Sequence, residues 1–401
     1  MEYAGRIDEI APSYIFSLVQ TLKSQGWLKS SDLINAFQKI PRHAFIECFY
    51  TIDTSRKEDK LAWKKHYVTS EEDIPLWLEQ IYANDPLVTL VDEAGRPICS
   101  STAPWLMAQM LEQLSLTENI KVLEIGTGTG YNAALLAAVV GNPSSIYSID
   151  IISSLVEHAD KAIKRVLGKP INVTVGNGLE GSASGAPYDR IIATGSSKNV
   201  PISWFNQLRN NGLLIFNLQW NINGNMLLVQ KSNDGKSAKG IFLDGPSTAF
   251  IELRESIPNT SANISSLLQR YLILSPKPDN PLDSKEFRPA LLHNDHFLFF
   301  LQLHFHHINR IFLKDVSTTT ICLIDTPSQT IVSFREDTST GHYSVYTYGQ
   351  EKFWEEIKSV YREWTLLEEP RIVDFEFYMD ETGSQYLRLP RKKSVWQCSL
   401  V

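Results

Sequence analysis

The sequence predicts an α/β protein with a doubly wound, mostly parallel sheet, N-terminal helices and an appended C-terminal α+β domain. Strand and helix signals alternate from about residue 104 to 220, a pattern that favours a parallel sheet covered on both faces. The chain has 401 residues, more than one hydrophobic core usually organises. After about residue 255 glycine becomes scarcer and aromatic residues concentrate. We therefore expect three segments, 1–97, 98–254 and 255–401.

The N-terminal segment carries helical periodicity. Apolar residues recur at helical spacing over 15–22 and again over 33–37, which predicts short helices between about residues 6 and 46. Pro41 is expected to end the second of them. Residues 51–75 are charged and polar, and we expect a solvated excursion there.

The middle segment contains five strand candidates that alternate with helical stretches. The helical stretches include 131–140 and 153–167. The strand candidates begin as KVLEIG at 121, SIYSIDI at 145, INVTVG at 171, DRIIAT at 189 and GLLIFNL at 212.

The C-terminal segment predicts a helix followed by a hairpin. Residues 353–364 place apolar side chains on one helical face, so Trp354 and Trp364 are expected in the core. Residues 373–379 alternate between apolar and polar side chains, as a half-buried strand does, and DETG at 380–383 suits a hairpin turn.

Five histidines cluster between residues 293 and 307, and two of them, His304 and His306, would share one face of a strand. A metal site would need several of them on one face. Because the stretch is loaded with Phe and Leu, we expect a core strand and no metal.

Composition and charge exclude several classes of protein. The net charge of −7 argues against nucleic acid as a partner, since such binding draws on Lys and Arg. We expect no membrane span, because no run of about 18 apolar residues occurs, and the N-terminus lacks a secretory signal pattern. The four cysteines are far apart in the sequence and suggest no disulfide framework, so we expect a reducing cytoplasm as the location. They are Cys48, Cys99, Cys322 and Cys398.

The strongest local signal is the glycine loop in VLEIGTGTGYNAALLA. An apolar strand runs into Gly126, Thr127, Gly128 and Gly130, and an Ala-rich helix follows. Glycines let the chain turn tightly and let a ligand approach the backbone. The alternative is a tight strand-to-helix turn without a ligand.

Three flanking features favour a ligand. Glu124 precedes the loop, and an acidic residue there suits a cationic ligand better than a pyrophosphate. S-adenosyl-L-methionine is such a ligand, since it carries an amino group and a sulfonium. Asp150, followed by Ile151, ends the next strand, where a carboxylate can accept both ribose hydroxyls. Asn177 and Gly178 end the third strand, where an adenine ring would lie, and the Asn177 amide oxygen can accept from its amino group.

Several motifs together resemble the protein-L-isoaspartate O-methyltransferases, a family with the Rossmann-like fold of class I methyltransferases. The resemblance covers roughly residues 10 to 220 and implies S-adenosyl-L-methionine as cofactor and a peptide or protein substrate carrying Asp or isoaspartate. Its motifs are IPRHAFIE at 40–47, CSSTAPWLMAQML at 99–111, the glycine loop, GNG at 176–178 and APYDRIIAT at 186–194.

The resemblance also implies which side chains face the acceptor. By position, Ser100 and Thr102 match the Thr and Ser of the family's QTISAP motif, while Cys99 replaces its Gln and Ser101 its Ile. Ser100, Ser101 and Thr102 are therefore our candidates for orienting the acceptor carboxylate. The alternative is that these hydroxyls only cap the helix that starts near Pro104.

A second resemblance covers residues from about 285 to 390. This region is similar to the appended domain of isoaspartyl-type methyltransferases encoded with ribosomally made peptides, such as lanthipeptides and graspetides. It implies methylation of an aspartate in a modified peptide, with the ester collapsing to succinimide or isoaspartate. General protein repair, or a non-catalytic peptide-binding role on the same fold, are the alternatives.

Overall fold

The computed structural model describes six stretches of the chain: 3–53, 62–254, 286–314, 318–337, 343–392 and 394–397. Part of the expected excursion at 51–75, and Cys398, lie outside these described residues.

Helices open the chain, as the periodicity predicts. The first helix, α1 (Ala4–Ser24), is followed by α2 (Ser31–Lys39), whose first turn is capped by the Ser30 hydroxyl accepting from the Leu33 N–H. The second helix ends two residues before Pro41, which confirms that prediction. A third helix, α3 (Ile74–Ile81), packs against α1.

A small antiparallel sheet is formed by strands on either side of α3 in the chain. Its strands pair in the order β2-β1-β3-β4. They are β1 (Phe49–Ile52), β2 (Trp63–His66), β3 (Leu87–Val91) and β4 (Pro97–Ser101). Because β4 runs almost directly into helix α4 (Pro104–Gln113), the segment 100–102 is held at both ends by regular structure.

Five parallel strands form one half of the central sheet, in the order β7-β6-β5-β8-β9, and all five strand candidates are confirmed. These strands are β5 (Val122–Ile125), β6 (Ile146–Asp150), β7 (Asn172–Val175), β8 (Tyr188–Ser197) and β9 (Leu208–Gln219). The helices between them are α5 (Tyr131–Val140), α6 (Ser153–Leu167) and α7 (Ile202–Gln207). In such sheets the crevice at the carboxyl ends of the central strands is the usual ligand site.

Antiparallel strands extend the same sheet beyond β9, so the parallel strands are one half of a mixed sheet. The order continues β9-β10-β11-β16-β17-β18. These strands are β10 (Gly224–Lys231), β11 (Ser237–Phe242), β16 (Glu376–Asp380), β17 (Gln385–Leu389) and β18 (Ser394–Gln397). The expected strand at 373–379 starts late, because Ile372–Asp374 forms a 3₁₀ turn in which the Asp374 carboxylate accepts from the Arg371 N–H.

The remaining C-terminal residues form a second sheet and two helices. The sheet pairs in the order β12-β13-β14-β15. Its strands are β12 (Ile308–Lys314), β13 (Thr318–Asp325), β14 (Thr330–Asp337) and β15 (Tyr343–Tyr348), and the helices are α8 (Asp295–His304) and α9 (Lys352–Leu366).

The core strand expected around the histidines is wrong. The stretch forms α8 because the Asn294 side chain caps it by accepting from the Phe297 N–H. His304 is the last residue of that helix and His306 lies beyond it, so the two share no strand face. The described residues include no group of three or more His, Cys, Asp or Glu side chains placed to hold a metal ion.

Two buried glutamines connect the C-terminal residues to the central sheet. Gln302 on α8 accepts from the Ile222 N–H and donates to Asn223. Gln385 on β17 exchanges two hydrogen bonds with the backbone of Val200. Because β16 also pairs with β11, the segment after residue 255 shares a sheet and a hydrophobic core with the segment before it. A domain boundary between residues 254 and 255 stays a prediction.

The aromatic side chains of α9 belong to that shared core. Trp354 and Trp364 are each 2% exposed, as predicted for core residues. No helix of the described residues combines the length and hydropathy that a membrane crossing needs.

Candidate active site

A cavity opens at the carboxyl ends of the parallel strands. It encloses about 940 Å³ including its mouth, within the range of roughly 300–1,000 Å³ that is usual for small-molecule sites. It brings together ten of the twelve predicted site residues: Ser100, Ser101, Thr102, Glu124, Gly126, Thr127, Gly128, Asp150, Ile151 and Gly178. Gly130 does not line it, although its neighbours Thr129 and Tyr131 do.

The glycine loop forms one wall of the cavity and requires glycine at three positions. Gly126, Gly128 and Gly130 have φ values of +92°, +50° and +87°, which residues with a Cβ rarely adopt. A Cβ on Gly126 would lie 2.8 Å from Thr194 Oγ1, and one on Gly130 would lie 2.9 Å from Ala159 Cβ. The loop therefore brings bare backbone to the cavity.

Beside the loop, the cavity presents hydrogen-bond acceptors. Glu124 is fully buried and accepts from Asn132 Nδ2 at 2.8 Å and from Ser148 Oγ at 2.5 Å. The Asn132 side-chain oxygen is also buried, and no described residue donates to it. An unmatched acceptor next to a buried carboxylate suits a cationic amino group and disfavours a phosphate. These acceptors thus fit the amino group of S-adenosylmethionine.

Glu124 gives cofactor affinity an expected pH dependence. Burial raises the pKa of Glu124 to about 7. A bound cation favours the ionised carboxylate, so the pKa falls in the complex and binding must release a proton below pH 7. We expect the affinity for S-adenosylhomocysteine to be about tenfold weaker at pH 6 than at pH 8, as measured by calorimetry. Glu124→Gln should remove this dependence; an unchanged pH profile in that variant would contradict the assignment.

Asp150 joins the glycine loop to the end of β6. One carboxylate oxygen accepts from the Gly128 N–H at 2.9 Å, and the other accepts from the Ile152 N–H at 3.0 Å. Burial raises the pKa of Asp150 while these backbone donors lower it. Each oxygen keeps acceptor capacity for a further donor, as a pair of ribose hydroxyls requires.

Asn177 is the second predicted cofactor residue that does not line the cavity. Its amide oxygen turns back to accept from the Leu179 N–H at 3.0 Å. Gly178 forms the wall there instead, and a Cβ at that position would lie 2.7 Å from Ile125 Cγ2. Asn177 could accept a hydrogen bond from an adenine amino group only through the second lone pair of its amide oxygen.

Ser100 and Thr102 also line the cavity. Neither of their hydroxyls bonds to another described residue. The capping alternative is wrong, because α4 begins at Pro104 without a side-chain cap from this segment. Asn84 accepts from the Trp105 N–H at 2.8 Å instead. The two hydroxyls are therefore available to a ligand.

Ser101 differs from its neighbours because a buried guanidinium engages it. Arg42 is fully buried and donates to Ser101 Oγ at 3.2 Å, to the Ser101 carbonyl at 3.2 Å and to the Thr102 carbonyl at 3.1 Å. Burial lowers the pKa of Arg42 to about 10, which leaves it charged at neutral pH. The same guanidinium also donates to the carbonyls of Ile81, Ala83 and Asp85.

Arg42 thus fixes the backbone that carries the two free hydroxyls. Ser101, predicted as a candidate for orienting the acceptor, contacts Arg42 and positions this segment. Arg42 belongs to the PRHAF motif, so the sequence marks this residue. The motif does not show what the Arg42 side chain contacts.

Residues 251–254 close a third side of the cavity, which no sequence motif predicted. The segment pairs with the end of β8: the Ser196 N–H donates to the Ile251 carbonyl, and the Leu253 N–H donates to the Ser196 carbonyl. Glu252 and Arg254 line the cavity. A single β-bridge leaves no periodic pattern in the sequence, so only the structure shows this contact.

Comparison with known proteins agrees with this geometry. The family model "Protein-L-isoaspartate(D-aspartate) O-methyltransferase (PCMT)" matches residues 64–253. A Pyrococcus horikoshii protein named protein-L-isoaspartate O-methyltransferase is 33% identical over 218 residues, 54% of this chain and 83% of its own. A Methanosarcina mazei protein of the same name is 36% identical over 212 residues, 53% of this chain and 73% of its own.

A solved structure titled protein-L-isoaspartate O-methyltransferase shares the fold over a longer stretch. It covers 93% of this chain and 98% of its own, with a TM-score of 0.52 and 23% identity. The C-terminal part of the fold is therefore found in another protein too. By the extent of these matches, the chain belongs to the protein-L-isoaspartate O-methyltransferase family, a family of S-adenosylmethionine-dependent enzymes.

Proposed function

We propose that this enzyme methylates the free carboxylate of an isoaspartyl or aspartyl residue in a peptide or protein. One observation carries the proposal: the free hydroxyls of Ser100 and Thr102 line the same cavity as the glycine loop and Asp150. A cofactor held at the loop and an acceptor held at the hydroxyls would share a single space.

The residues divide into those that hold the cofactor and those that orient the acceptor. Glu124, Asn132 and Asp150 would hold S-adenosylmethionine, which supplies a methyl group on a sulfonium when bound. The acceptor carboxylate has a pKa near 4 and is already ionised at neutral pH, so no strong general base is needed. Ser100 and Thr102 can donate hydrogen bonds to one carboxylate oxygen and leave the other free to attack. Catalysis then comes mainly from orientation and from exclusion of water.

We propose further that the substrate is a structured, ribosomally made peptide, such as a lanthipeptide or graspetide precursor. Support comes from the C-terminal region, which packs on the central sheet through Gln302 and Gln385 and resembles the domain found with peptide-tailoring enzymes. General repair of isoaspartate in proteins is the second candidate. It is favoured by the family's name, which gives isoaspartate in proteins as the substrate.

Two substrates separate these candidates. The enzyme would be given a linear six-residue isoaspartyl peptide and the macrocyclic form of a precursor peptide encoded beside its gene, with the uncyclised precursor as control. We expect faster methylation of the macrocycle, and loss of methanol as the ester closes to a succinimide. Equal kcat/KM for the macrocycle and the six-residue peptide would rule out dedicated recognition and leave general repair.

A further inference from the structure

A second, polar recess adjoins the active-site cavity. It encloses about 470 Å³ and shares Glu252 with the cavity, so Glu252 lies between the two spaces. The recess is lined by Ser196, Lys198, Gln219, Trp220, Asn221, Glu252 and Asn309. Five of these residues end or follow strands of the central sheet, Glu252 forms an isolated bridge with Ser196, and Asn309 belongs to β12 of the C-terminal region.

Hydrogen bonds hold the walls of the recess in place. The Gln219 side-chain oxygen accepts from the Phe250 N–H at 3.1 Å, and the Trp220 indole donates to the Lys198 carbonyl at 3.2 Å. Asn221 and Asn309 both donate to the carbonyl of His307, each at 3.1 Å. Asn221 therefore joins the central sheet to the C-terminal region at this point, while Asn309 bonds within that region.

These bonds leave both donors and acceptors unused. Among the described residues, the Gln219 Nε2 group finds no acceptor, and no donor reaches the side-chain oxygens of Asn221 and Asn309. The Lys198 and Glu252 side chains are 57% and 60% exposed and 3.8 Å apart, which makes them a weak pair. The recess thus offers donors and acceptors together.

We propose that this recess binds the main chain of the substrate peptide on one side of the acceptor residue. An extended peptide presents one N–H and one C=O per residue, which matches a mixed set of free amide groups better than an apolar or purely anionic ligand would. Because Glu252 borders both spaces, a peptide whose side chain enters the cavity has its flanking residues at the recess. The inference rests on the proposed peptide substrate and gives the C-terminal region, through Asn309, a direct contact with it.

The test is a binding measurement with matched variants. The double variant Asn221→Ala/Asn309→Ala removes two side-chain acceptors. Asn233→Ala is the control, since Asn233 bonds to Asn211 at the opposite ends of the same strands. Dissociation constants for isoaspartyl peptides of three and nine residues would be measured by calorimetry with the full chain and S-adenosylhomocysteine. We expect about tenfold weaker binding of the nine-residue peptide to the double variant, since two hydrogen bonds are lost. Binding of the three-residue peptide and of S-adenosylhomocysteine should stay unchanged.

The outcomes separate the recess from the reaction. Unchanged affinity of the double variant for the nine-residue peptide, or equal losses for both lengths, would overturn the recess as a main-chain site. A methylation assay on the wild-type enzyme is scored independently. Recess-dependent binding without any methyl transfer would contradict the proposed function while it supports the recess.

Discussion

Asp150→Ala is expected to weaken cofactor binding by about 2–4 kcal/mol, or roughly 30- to 1,000-fold, because charge-assisted hydrogen bonds are the stronger kind. The substitution removes the carboxylate expected to accept from two ribose hydroxyls. It also releases the Gly128 N–H that this carboxylate holds at 2.9 Å. Calorimetry with S-adenosylhomocysteine measures the loss.

Two further variants separate the charge of Asp150 from its loop contact. Asp150→Asn keeps the shape and one acceptor oxygen, so its loss should be smaller than that of Asp150→Ala. Asp160→Asn is the matched control, because Asp160 pairs with Lys164 on α6 and does not line the cavity. Wild-type affinity in Asp150→Ala would contradict the assignment of Asp150 to the cofactor.

Thr102→Val is expected to lower kcat/KM by about 10- to 100-fold, the effect of losing one hydrogen bond to a charged group. Valine keeps the shape of the side chain and removes the hydroxyl. Because Arg42 holds this segment through the Thr102 carbonyl and not through its side chain, the backbone should not move. Affinity for S-adenosylhomocysteine should therefore stay near the wild-type value.

Ser101→Ala provides the contrast to Thr102→Val. Its hydroxyl accepts from Arg42, so its loss should lower the thermal stability of the protein and change turnover less than Thr102→Val does. Full turnover in Thr102→Val would show that its hydroxyl does not orient the acceptor.

The parallel half of the fold was predictable because its signals are local. A buried strand, a glycine loop with three positive φ values and an Ala-rich helix each produce a recognisable sequence pattern within about ten residues. The family motifs likewise mark Ser100 and Thr102, and the end of the strand after the glycine loop marks Asp150; all three line the cavity. That these residues orient the acceptor or bind the cofactor is a prediction, and the variants above test it.

The parts that the sequence did not predict depend on contacts between distant residues. The pairing of β11 with β16 joins residues about 140 positions apart. The bridge between Ser196 and Glu252 has no periodic pattern. The histidine-rich stretch was misjudged as a strand because a short apolar run does not distinguish a strand from a helix, and the cap at Asn294 decides it.

The most direct test of the central claim is mass spectrometry of a peptide product. The enzyme and S-adenosylmethionine would be incubated with an isoaspartyl peptide and with the same peptide carrying isoasparagine, whose side chain has no carboxylate. The proposed reaction predicts that the isoaspartyl peptide alone gains the mass of one CH₂, and that the ester then loses methanol. If calorimetry shows that the enzyme binds S-adenosylhomocysteine while neither this peptide nor a macrocyclic precursor gains mass, the claim of carboxylate methylation is contradicted.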